Sequence, residues 1–192
     1  MVTTVAALVI VLGLMVSLAR HVRNASAVEL TKSVLRRIDR LMSQYEATHP
    51  PPAIAPVVMS DADLRRVQSL MGFKLPRVRE FLVNVADPPN TELYEHVLEK
   101  AALENNRQFV AVLRSFDAGK PQSMFSRLSG AVYDGATLRD AWGMPIVYMP
   151  AMHPAIGMAP QNKRFFFSAG PGHTYLTQDD NLYSYEEAGH PE

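Results

Sequence analysis

Cysteine is absent from this 192-residue chain, which excludes disulfides, thiol nucleophiles and Cys-ligated metals. Net charge is absent as well. Nineteen Lys and Arg balance 19 Asp and Glu, so no overall field draws the protein to nucleic acid. There is no G-x-S-x-G elbow and no H-x-x-x-H pair, and the six histidines are scattered. A triad of Ser168, His173 and Asp179 can be drawn on paper, but nothing in their spacing supports it. The expectation is a chain with no catalytic residues, not an enzyme. Proline, by contrast, is plentiful: 14 residues, clustered at Pro50-Pro51-Pro52, at Pro88-Pro89 and between Pro145 and Pro160. They cut the chain into segments. The 47% hydrophobic content is enough to supply a core.

Charge is also missing from the whole of residues 1–19, MVTTVAALVIVLGLMVSLA, where only Thr3, Thr4 and Ser17 are polar. At about 1.5 Å per residue this run spans roughly 28 Å as a helix, the thickness of a bilayer's hydrocarbon core. The run predicts a transmembrane helix at 1–19. A cleaved signal peptide is the alternative, with Ala25-Ser26-Ala27 as its A-x-A site. Charge begins at Arg20, His21 and Arg23, and no Pro or Gly occurs from there to about Thr48. Leu30, Val34, Ile38, Leu41 and Tyr45, flanked by Leu35 and Met42, recur at helical spacing, with Lys32, Arg36, Arg37, Asp39 and Arg40 between them. The spacing predicts an amphipathic continuation over 20–49, ended by Pro50-Pro51-Pro52.

Further helices are expected from Ser60, from Pro76 and from Asn90 or Thr91. The last carries an apolar stripe through Leu98, Phe109, Leu113 and Phe116 up to Gly119. After about residue 128 glycine, aromatic and β-branched residues replace these stripes. Ile146-Val147-Tyr148, Arg164 to Phe167, Tyr175-Leu176 and Leu182-Tyr183 are short strand candidates, and Gly170-Pro171-Gly172 is a turn. A sheet this small needs a helix across one face, and the amphipathic segment 20–49 is the natural cover. The fold class is therefore α+β: a long N-terminal helix packed on a small C-terminal antiparallel sheet (128–192), with a helical insertion at 53–127.

This organisation resembles the type IV pilin-like proteins, and among them the pseudopilins of type II secretion, particularly the major pseudopilin type. Two stretches carry the resemblance. One is the helix end, Leu35 to Tyr45 followed by His49-Pro50. The other is Asp140-Ala141-Trp142-Gly143-Met144-Pro145-Ile146-Val147-Tyr148, which is similar to the family's D-x-W-G-x-P-x-x-Y motif. It is followed by Ser168-Ala169-Gly170 and by an acidic Asp179-Asp180-Asn181 loop. Residues 53–127 match no part of the family pattern. Val5 stands where the family carries Glu, counting from Met1, and no basic leader precedes it.

The resemblance implies a structural subunit that polymerises through its N-terminal helix, with Leu35, Ile38, Leu41 and Tyr45 packing the head onto that helix. The implied partners are further copies and other pseudopilins in a fibre, an inner-membrane assembly platform and the lipid bilayer; nucleic acid is not among them. The implied location is the bacterial inner membrane, single-pass, with the head in the periplasm. Arg20 and Arg23 alone would place the head in the cytoplasm by the positive-inside rule. Asp140, Trp142, Gly143, Pro145, Tyr148 and Gly170 become structural motif residues, with Trp142 expected as a core aromatic. Asp179 and Asp180 fall where the family binds calcium, an ion that takes six to eight oxygens, and Ser168, Asn181 and backbone carbonyls are the further oxygens at hand. Pro171 departs from the family's loop, and two adjacent aspartates equally serve as solvated turn residues. Two other functions are compatible with the sequence: a single-pass anchored binding module, and a secreted soluble protein.

Overall fold

The computed structural model describes residues 2–54, 91–151, 163–175 and 180–186. Within the first helix, side chains are described at Met15, Ser17, Leu18 and from His21 onward; in the second they begin at Glu95, Val97 excepted. The helices expected from Ser60 and Pro76 lie outside these residues, as do Asp179 and Leu176.

With no proline before Pro50, nothing interrupts the backbone ladder, and α1 runs unbroken from Val2 to Glu46, 45 residues. It ends where Thr48 and His49 donate their N–H groups back to the Tyr45 carbonyl at 3.0 and 2.9 Å, just ahead of the prolines. The second described helix, α2, is Thr91–Asp117. Gly119, at φ 83°, turns the chain away from its end. Among the described residues three strands follow: β1 (Val147–Met149), β2 (Phe165–Ser168) and β3 (Leu182–Tyr183). They form one antiparallel sheet in the order β1-β2-β3, with Tyr148 opposite Phe166 and Phe167 opposite Tyr183. The class is α+β. Tyr175 is not in a strand; its phenol is used instead to brace the loop before β1, as described below.

The core lies where α1, α2 and the sheet meet. Val34, Leu35, Ile38, Leu41 and Met42 of α1 are buried against Phe109, Val110 and Leu113 of α2 and against Tyr148 and Phe166 of the sheet. Each such side chain contributes about 1.5–3 kcal/mol by leaving water. Tyr45 is half-buried at the rim, stacked on His49 at 4.6 Å and edge-on to Phe116 at 5.6 Å. The three phenylalanines of β2 alternate as a strand requires. Phe166 meets Phe109 (5.2 Å) and Tyr148 (5.3 Å), whereas Phe165 and Phe167 join Tyr175, Tyr183 and Tyr185 in a separate aromatic cluster.

Among the described side chains, packing on α1 begins at Ala27. Every described side chain from Met15 to Ser26 is exposed, including Met15 at 63% and Leu18 at 64%. Among the described residues no helix is long and apolar enough to cross a membrane; of the apolar run 1–19, only Met15, Ser17 and Leu18 have described side chains.

Candidate functional site

The segment 140–148 closes on itself and then ties the head together. Asp140 is buried. One of its carboxylate oxygens accepts from the Trp142 and Met144 N–H groups at 2.9 and 2.8 Å, and the other from the Ser168 hydroxyl at 2.6 Å. The Asp140 N–H donates to the Met144 carbonyl (2.9 Å), and Gly143 turns the chain at φ 92°. The Ser168 oxygen in turn accepts from the Gly170 N–H at 3.0 Å. At Gly170, φ is 64° and a Cβ would sit 1.9 Å from the Asp180 carbonyl oxygen. Only glycine fits there. The structure thus brings Asp140, Ser168, Gly170 and Asp180 into one connected unit. Burial pushes the Asp140 carboxyl above its ordinary pKa, against the lowering effect of the hydrogen bonds from Ser168, Met144 and Trp142.

The rest of the motif is used as follows. Pro145 is buried, and its carbonyl accepts from the Tyr175 phenol at 3.0 Å. Burial raises the Tyr175 pKa strongly. Tyr148 presents its backbone to α2. Its N–H donates to the Asn105 side-chain oxygen (2.8 Å) and its carbonyl accepts from the Asn105 amide (2.9 Å). Asn106 accepts from the Leu138 N–H (2.8 Å) and donates to the carbonyls of Leu138 (2.7 Å) and Ile146 (2.6 Å). Trp142 is not a core aromatic. It is partly exposed and lines a cleft with Arg23, Asn24 and Ala27 of α1, beside Ala141 and His173. The turn that carries it is held by buried Asp140, so the indole is carried outward instead.

Among the described residues, several polar contacts tie the head to α1, one of them from the Ser184 hydroxyl to Asp39 at 3.5 Å. The Ala141 N–H donates to the buried Thr31 hydroxyl at 3.1 Å. Lys32 pairs with Glu186 at 3.5 Å. Arg164, at the entry to β2, reaches Asp39 and Glu46, both at 2.6 Å, and donates to the Ser43 hydroxyl at 2.7 Å. Neither the asparagine pair nor Arg164 stood out in the sequence. The signal for Asn105 and Asn106 was their place on the stripe Leu98, Ala102, Phe109, Leu113, where two polar residues demand partners.

Of the residues expected at a calcium site, Ser168 is fully buried, with its proton and one lone pair already engaged, and Asp180 is exposed beside Gly172. Among the described residues no three His, Asp or Glu side chains converge on a point; Asp179 lies outside them. The Ser168 hydroxyl bonds to Asp140, not to a histidine, so the paper triad is not assembled there. Comparison with protein-family models, with curated proteins and with solved structures finds no match for the chain.

Proposed function

We propose that this chain is a membrane-anchored structural subunit of the pseudopilin type, held in the inner membrane by residues 1–19 and polymerising through α1, with its head in the periplasm. The observation that carries the reading is the division of labour along α1. One unbroken helix runs from Val2 to Glu46, yet among the described residues the core packs on its second half. The first 25 residues extend about 37 Å and leave Met15, Leu18 and Val22 uncovered. An apolar helix surface of this kind needs lipid or other helices around it. Energy for assembly would come from a partner ATPase, and this chain supplies packing surface.

Because the chain has no cysteine, single substitutions report cleanly on contacts. Leu18→Cys in membranes should give disulfide-linked dimers under mild oxidation, whereas Arg37→Cys, beside the head, should give far fewer. Monomers only from Leu18→Cys would remove the self-association half of the reading.

A second reading, a single-pass anchored binding module, draws on one observation. Arg37, Arg40, Lys120 and Arg127 line an open cleft of about 400 Å³ between α1 and the loop after α2, and none of the four has an ion pair among the described residues.

A further inference from the structure

We propose that the cleft between α1 and Trp142 seats the phosphate of a phospholipid headgroup, so that the head is docked on the bilayer surface as well as tethered to it. This rests on the membrane reading of residues 1–19 and goes beyond it, because a tether alone leaves the head free of the lipid.

The height of the cleft is the first argument. At about 1.5 Å per residue, Arg23 lies about 6 Å beyond Ala19 and Ala27 about 12 Å beyond it. The polar layer on each side of the hydrocarbon core is about 5–8 Å thick. Arg23 and Asn24, at the mouth of the cleft, therefore sit at headgroup level, and Ala27 lies about one helical turn outside it. The Ala141 to Thr31 hydrogen bond holds the loop that bears Trp142 against α1 one turn further on. The ties through Lys32, Asp39 and Glu46 all lie farther out along the helix.

Chemistry is the second argument. The cleft is about 450 Å³ and is lined by Arg23, Asn24, Ala27, Ala141, Trp142 and His173, with no carboxylate among them. Arg23 has no ion pair among the described residues, and its planar fork suits a phosphate. Trp142 is partly exposed, and an indole with an apolar body and one N–H donor favours the membrane interface. His173 is the only non-glycine residue with positive φ among the described residues, at 57°. Histidine is among the residues that adopt this left-handed conformation, which here ends the turn Gly170–Gly172 and leaves the residue lining the cleft.

Trp142 is the only tryptophan in the chain, so its fluorescence reports on this cleft alone. The full chain is reconstituted in vesicles of phosphatidylethanolamine and phosphatidylglycerol doped with quencher-labelled lipid. The expected result is a blue-shifted emission, quenched more by labels on the headgroup than by labels deep in the acyl chain. Arg23→Ala should lower headgroup quenching by reducing cleft occupancy about five-fold. If the chain floats with the vesicles but Trp142 is quenched by aqueous acrylamide and not by lipid labels, the docking proposal is overturned and the anchor stands. If lipid labels leave Trp142 unquenched while inorganic phosphate shifts its emission, with the protein still in the vesicles, the cleft takes a free anion and the docking proposal is likewise overturned. A blue shift that grows with protein density and ignores lipid labels would assign the cleft to a neighbouring copy. A chain that does not float at all removes the anchor, and the proposal falls with it.

Discussion

Asp140 is the point at which two stretches of chain, distant in sequence, are fastened. Its two oxygens serve three donors: two backbone N–H groups of its own turn and the hydroxyl of Ser168, which then holds Gly170. Asp140→Ala would leave these buried donors unpaired, at about 2–4 kcal/mol in urea melts. Asp140→Asn keeps an acceptor for the two N–H groups and should cost less than half as much. An equal loss for both would mean that the charge, and not the acceptor geometry, holds the turn. Tyrosines give a second prediction. Burial raises the phenols of Tyr148 and Tyr185 from 10.0 to about 12 and that of Tyr175 further still. The folded state therefore keeps protons that the unfolded chain releases above pH 10. Stability should be flat with respect to these groups below pH 10 and fall as the pH rises toward 12 and beyond. Absorbance at the phenolate band should lag the unfolded control over that range. Three of these tyrosines ionising near 10 in the folded protein would contradict the packing.

At the scale of elements, α2 does more than bury an apolar stripe. Among the described residues β1 is an edge strand, and an open edge invites pairing with other chains. Asn105 occupies both backbone groups of Tyr148, and Asn106 bridges the turn between Leu138 and Ile146. Asn106→Leu should cost about 2–5 kcal/mol, because three buried backbone bonds are lost together. The loss should appear as faster amide exchange at Leu138 in particular, since its N–H donates to Asn106. The sequence made the helix stripes legible because burial repeats at helical spacing: Leu35, Ile38 and Leu41 fall inside as the pattern implied. The short strands at Val147, Phe165 and Leu182 were legible from their aromatic and β-branched runs. The pairing of asparagine amides with strand backbone was not, because it depends on contacts 32 to 43 residues apart. Trp142 misled for a similar reason. Its size suggested a core position, but the buried Asp140 beneath it sets the turn and carries the indole to the surface.

At the scale of the molecule, α1 is one helix with two unlike halves. Its second half is a wall of the head, fixed by Thr31, Lys32, Asp39 and Glu46. Its first half, up to Ser26, shows only exposed side chains where they are described. No hinge residue separates the halves, since neither Pro nor Gly occurs between Arg20 and Thr48. A rigid connection of this kind fixes the head at a set height above the apolar run, which suits a subunit whose position in an assembly must repeat from copy to copy. A subunit of this kind must have the first half of its helix embedded in lipid. Alkaline carbonate extraction of membranes from bacteria producing the full chain tests this directly. The protein should stay in the membrane pellet, as an integral protein does. Release into the carbonate supernatant would contradict the embedded helix and the subunit reading built on it.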